Sequence, residues 1–106
     1  MAPPSIHRLS SPQIERLIRD RATLSANVVF VHHALVRMRE RAIMRLEVLE
    51  VLRQGRLRRA PEPDPAHGSL KCLMQRFIAG RELGVVAAVS DDDPGVVVVT
   101  VVEIGG

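Results

Sequence analysis

The sequence predicts an α+β domain: two to three N-terminal helices packed on one face of a mostly antiparallel four- to five-stranded sheet. Three observations carry this expectation. Up to residue 54 most apolar side chains recur at helical spacing, with one short β-branched interruption. From residue 69 onward they fall instead into runs of strand length, divided by AGREL and DDDPG. The last run, VVVVTVVEI, is apolar at both parities, which predicts a central strand with both faces largely covered.

The elements follow in order. Residues 1–10, with Pro3 and Pro4 and no periodicity, read as a flexible arm before a single domain over 11–106. Ser11 serves as an N-cap with Pro12 as the first helical residue, and Ile14, Leu17, Ile18 and Ala22 form the apolar stripe of an additional N-terminal helix over 11–23. NVVFV (27–31) is β-branched and aromatic, a short buried strand. A helix starts at His32 or His33, and another covers about 44–54, with Leu46, Val48, Leu49 and Leu52 as its core contacts and Gly55 as a left-handed stop. The junction at Ala42 and Ile43 has no capping residue, which leaves a kinked merger or a sharp turn. RLRRA is an edge strand, and three prolines exclude a regular element from PEPDPAHG. SLKCLMQRFI, GVVAAVS and VVVVTVVEI complete an antiparallel meander.

The charge is uneven. Residues 37–59 hold eight Arg against three Glu, and residues 60–106 hold three basic side chains against seven acidic ones, although the whole chain is only +3. Concentrated Arg suits phosphate or carboxylate partners, and equally a solvated helix face. Phe30 and Phe77 are the only aromatic residues, which argues against base-stacking platforms. One cysteine, Cys72, excludes an intramolecular disulfide and reads as an inert core thiol. The first residues lack the apolar core of a leader, and the valine run is too short to span a bilayer, so a soluble cytoplasmic protein without membrane contact is expected.

HHALVRMRER (32–41) is the stretch that carries chemistry. At about 100° per residue, His33, Arg37 and Glu40 share a narrow sector, with Arg41 beside it. A base, a cation and a carboxylate on one helix edge suit proton transfer at a phosphate. The same residues also suit ordinary helix-surface ion pairs. The histidines and Cys72 match no zinc spacing, and DDDPG lacks the spaced ligands of a calcium loop, so neither metal nor cofactor is expected.

The run H-A-L-V-R-M-R-E-R (33–41) resembles the H-A-x-x-R-M-x-E-R signature of a small bacterial family described as a domain of unknown function. The resemblance spans roughly residues 27–104. The family continues with Gly, Ile and Ser or Thr where this chain has Ala42, Ile43 and Met44. Its layout is similar to that of RelE and BrnT toxins. The resemblance implies a metal-independent ribonuclease, the toxin half of a type II toxin–antitoxin pair, with His33, Arg37 and Glu40 catalytic. It implies Arg41, Arg58, Lys71, Arg76, Arg81 and Thr100 as phosphate ligands. Lys71 and Arg76 differ in strand parity, so a regular strand brings at most one of them to the site. The partners implied are RNA, including ribosome-associated mRNA, and a small acidic antitoxin, with a homodimer left open. The rival expectation is a non-catalytic RNA- or protein-binding module that uses the Arg-rich helical face.

Overall fold

A computed structural model describes residues 5–105, so residues 1–4 of the expected arm lie outside it. Residues 5–8 are tied down: Ile6 is buried, and Asp91 accepts hydrogen bonds from the Ser5 hydroxyl at 2.6 Å and the Ile6 amide at 2.9 Å. The DDDPG turn thus holds the start of the described chain as well as joining two strands.

Helix α1 runs Ser11–Arg21. Its N-cap is Ser10 rather than Ser11, because Gln13 sits three residues beyond Ser10 and the two exchange side chain–backbone hydrogen bonds as a capping box. Strand β1 is Val28–Phe30, α2 is His32–Glu40 and α3 is Arg45–Gln54. The α2–α3 junction is a sharp turn. Arg41 caps α2, Ala42 takes φ 53°, and the amides of Ala42 and Ile43 bond back to Arg39 and Met38. This is the paired-bond helix stop in which a left-handed residue satisfies the last carbonyls. Met38 and Ile43, both buried, make the apolar contact that accompanies it. Helix α3 then starts with the Met44 amide donating to Glu47 Oε1 at 2.8 Å.

Two expectations about α3 are corrected. Leu46 is 72% exposed and is not a core contact; Val48, Leu49, Val51 and Leu52 are. Gly55 ends the helix with φ −78°, not in the left-handed region. Glycine is needed there for another reason: a Cβ would overlap the carbonyl oxygens of Val51 and Gln75, where the helix end presses onto the sheet.

The sheet has six strands in the order β1-β6-β5-β4-β2, with β3 also pairing β4. The strands β2 (Arg56–Leu57), β3 (Glu62–Asp64), β4 (Ser69–Ile78), β5 (Arg81–Ser90) and β6 (Val96–Glu103) pair antiparallel, and β1 joins β6 in parallel. The PEPDPAHG segment therefore does hold a strand, β3. It lies on the sheet edge, where Pro63 opposite Leu70 need not donate to a second neighbour.

All three helices lie on one face. α3 packs on β4 and β5, α2 on β6, and α1 on α3 and β2. That face buries Leu70, Cys72, Met74, Leu83, Val85, Ala87, Val89, Val96, Val98 and Val101. A bulge between Val86 and Ala87 shifts the parity of β6. The valine run is central, as its composition predicts, yet only one face is covered by helices. Val97, Val99 and Val102 remain half-buried on the other.

Candidate functional site

The signature helix is placed by its apolar positions. Ala34 and Met38 are buried against β6, which turns Arg37 and Arg41 to one flank and His33 and Glu40 farther toward solvent. His33, Arg37 and Arg41, each four residues apart, follow one another along that flank. Arg37 Nη1 lies 3.6 Å from Glu40 Oε1, and both side chains are exposed. Glu40 thus engages Arg37 rather than orienting His33. Arg41 is half-buried, and its Nε is buried without a hydrogen-bond partner among the described residues. Arg41 makes no ion pair among the described residues, so its charge is not neutralised by a carboxylate. Arg45, at the start of α3, stacks over the Phe30 ring at 4.4 Å and ties α3 to β1.

The other expected phosphate ligands do not converge on this flank. Arg81 lies on the helix side and is a structural clamp: it donates to the Arg41 carbonyl at 2.8 Å and the Ala42 carbonyl at 3.0 Å, with Glu47 and Glu103 within 3.7 Å. Arg76, also on the helix side, is ion-paired with Glu50 at 3.0 Å. Lys71, Arg58 and Thr100 belong to the opposite, helix-free face. Lys71 pairs with Asp64 at 3.6 Å, Arg58 donates to Gln75 Oε1 at 2.7 Å, and Thr100 stands opposite Val86. Lys71 and Arg76 are on opposite faces, as strand parity requires.

The sequence reading missed a groove of about 370 Å³ on the helix-free face. Asp64, His67 and Lys71 stand at its rim over Val31, Ala88, Val97 and Val99. His67 Nδ1 lies 3.0 Å from Asp64 Oδ2, and this hydrogen bond, with the nearby Lys71 charge, holds the Asp64 carboxyl below its ordinary value of 3.8. The spacing of Asp64 and His67, three apart around Pro65, was the only signal in the sequence. Among the described residues, no three of His, Cys, Asp and Glu are placed to share a metal ion. No helix of the described residues is long and apolar enough to cross a membrane.

A family model described as Domain of unknown function (DUF4258) matches residues 30–103, from the last residue of β1 to the end of β6, and includes the whole signature helix. No curated protein and no solved structure matches this chain.

Proposed function

The chain belongs to the DUF4258 family, and on that premise we propose that the His33–Arg37–Arg41 flank of α2 grips an RNA backbone, where the protein acts as a toxin-like, metal-independent endoribonuclease. The observation that carries this reading is Arg41, a half-buried arginine that makes no ion pair among the described residues, at four-residue spacing from Arg37 and His33. The layout of helices on one face of an antiparallel sheet, similar to that of RelE and BrnT toxins, supports it as analogy of fold alone. In the reaction, His33 takes the proton of a ribose 2′-hydroxyl. The 2′-oxygen forms a bond to the adjacent phosphorus, the P–O5′ bond breaks, and O5′ receives a proton from solvent, leaving a 2′,3′-cyclic phosphate. Arg37 and Arg41 offset the charge that gathers on the phosphoryl oxygens. Glu40, by pairing with Arg37, positions that guanidinium. A small acidic antitoxin is the protein partner this basic flank suits.

A second reading is a non-catalytic RNA-binding module. It is favoured by the exposure of the α2 flank and by Arg76 and Arg81 being engaged elsewhere. The deciding experiment is cleavage of RNA by the purified chain in EDTA, beside His33→Ala and Arg41→Ala variants that circular dichroism shows to be folded. The ribonuclease reading expects cyclic-phosphate ends from the wild type and a loss of at least about 100-fold in rate for His33→Ala, the scale of one acid–base group. Salt-sensitive binding without cleavage, on free RNA and on ribosome-bound mRNA alike, leaves the module. In that case Arg41→Ala weakens binding and lowers the salt slope by about one.

A further inference from the structure

The helix-free face holds a second basic cluster that shares no residue with α2. Arg56 and Arg58, Gln75 and Phe77 on β4, and Glu82 on β5 surround a shallow cleft of about 350 Å³. The register sets them side by side: Arg56 is opposite Gln75, and Phe77 is opposite Glu82. Phe77 is 61% exposed, whereas the other aromatic ring, Phe30, is covered by Arg45. The carboxylate of the cleft does not neutralise its arginines. Gln75 donates to Glu82 Oε2 at 3.2 Å and accepts from Arg58 at 2.7 Å, so an amide stands between acid and guanidinium. Arg76 also borders the cleft, but its guanidinium is paired with Glu50. Arg56 is exposed and makes no ion pair among the described residues. The paucity of aromatics, which argued against base stacking at the level of sequence, thus leaves one phenyl ring in water at one end of the cleft, two residues along β4 from the partner of Arg56.

We propose that this cleft binds one nucleotide of single-stranded RNA, with the base stacked on Phe77 and the adjoining phosphates held by Arg56 and Arg58. An aromatic face accepts any unpaired base, and a guanidinium fork matches a phosphate. Bases inside an A-form duplex are withheld from such a ring. The inference rests on the reading of the chain as an RNA-binding protein and deepens it, because it supplies a contact to bases where the α2 flank supplies contacts to the backbone.

The test is fluorescence anisotropy of a labelled twelve-residue oligouridylate and of a duplex RNA, titrated over a range of salt. The proteins are the wild-type chain, Phe77→Ala, Phe77→Trp, the Arg56→Ala/Arg58→Ala double variant, and Arg41→Ala as the α2 control. Phe77 is exposed, so its variants are expected to fold, and circular dichroism checks this. Expected are an approximately tenfold weaker grip on oligouridylate for Phe77→Ala, with duplex binding unchanged, and full affinity for Phe77→Trp. For the double variant, the salt slope falls by about 1.4, the value for two phosphate contacts on a single strand. Ultraviolet cross-linking of oligouridylate, read by mass spectrometry, should mark the peptide that contains Phe77. If Phe77→Ala binds oligouridylate as the wild type does, or if the wild type does not bind it at all, the proposal is overturned. Loss in Arg41→Ala alone supports the α2 flank and overturns the cleft. Loss in Phe77→Ala alone supports the cleft and removes the α2 flank.

Discussion

At the scale of single residues, Ala42 shows how a local rule is broken immediately after the signature. Its φ of 53° lies in the left-handed region, where a Cβ crowds the backbone and glycine does not. The turn needs that conformation, because only then do the amides of Ala42 and Ile43 reach the carbonyls of Arg39 and Met38. Ala42→Gly is therefore expected to stabilise the protein by about 0.5–1 kcal/mol, the relief of strain less the entropy that glycine loses on folding. A rise in urea midpoint with an unchanged m-value reads this directly. A fall in midpoint would mean that the strain is absent. Arginine shows the limit of counting charges. Arg19, Arg21, Arg53 and Arg81 each hold backbone carbonyls at loop or helix ends, such as Arg19 on Gly55 at 2.6 Å and Arg53 on Ala22 at 2.7 Å. Of the eight arginines counted over 37–59, Arg53 is thus taken up by internal bonding, while others, among them Arg41, Arg56 and Arg58, remain to meet a polyanion.

At the scale of elements, the β4–β5 hairpin repeats the same conflict. Ala79 and Gly80 both have positive φ, 51° and 82°, and join Ile78 to Arg81 in a two-residue turn. Such turns match the strand twist only with both central residues left-handed, which favours Asn followed by Gly. Ala79→Asn is expected to raise stability by about 0.5–1 kcal/mol, measured as an increase in thermal midpoint; no gain would show that the alanine is accommodated by its neighbours. Helices and long strands were legible in the sequence because periodicity and length suffice for them, although β5 begins at Arg81, three residues before the GVVAAVS run and inside the AGREL segment read as a turn. Hence β4 spans Ser69–Ile78 as read, and α2 begins at His32. Features fixed by contact between distant segments were not legible. The Gly55 requirement comes in part from Gln75, twenty residues away, as well as from Val51 one turn back, and β3 exists because β4 offers an edge to Glu62–Asp64. The site divides in the same way: helix spacing was enough to set Glu40 beside Arg37, whereas the engagement of Arg76 by Glu50 and of Arg81 by the α2–α3 turn depends on tertiary packing.

At the scale of the whole molecule, one sheet has its helix side sealed and its other side open, and Cys72 reports on that asymmetry. The thiol is 1% exposed, beneath the helices on the central length of β4, and burial pushes its pKa up to about 12 from an ordinary 9.0. The thiolate is the reactive form, so the native thiol is both shielded and protonated at pH 8. Alkylation of Cys72 should therefore wait for the helix layer to part from the sheet. With a stability in the usual range of 5–15 kcal/mol, labelling is expected to be at least about 1,000-fold slower than in urea-unfolded chain. The pH dependence has a definite sign. Because the folded pKa is raised, the unfolded chain releases this proton first, so the contribution of Cys72 to stability is intact below pH 9 and is lost as pH rises from 9 toward 12. Cys72→Ala should flatten that alkaline decline relative to the wild type. Rapid labelling of the native wild-type chain at pH 8 would instead place the opening at the helix–sheet interface itself, the surface that carries α2 and its basic flank.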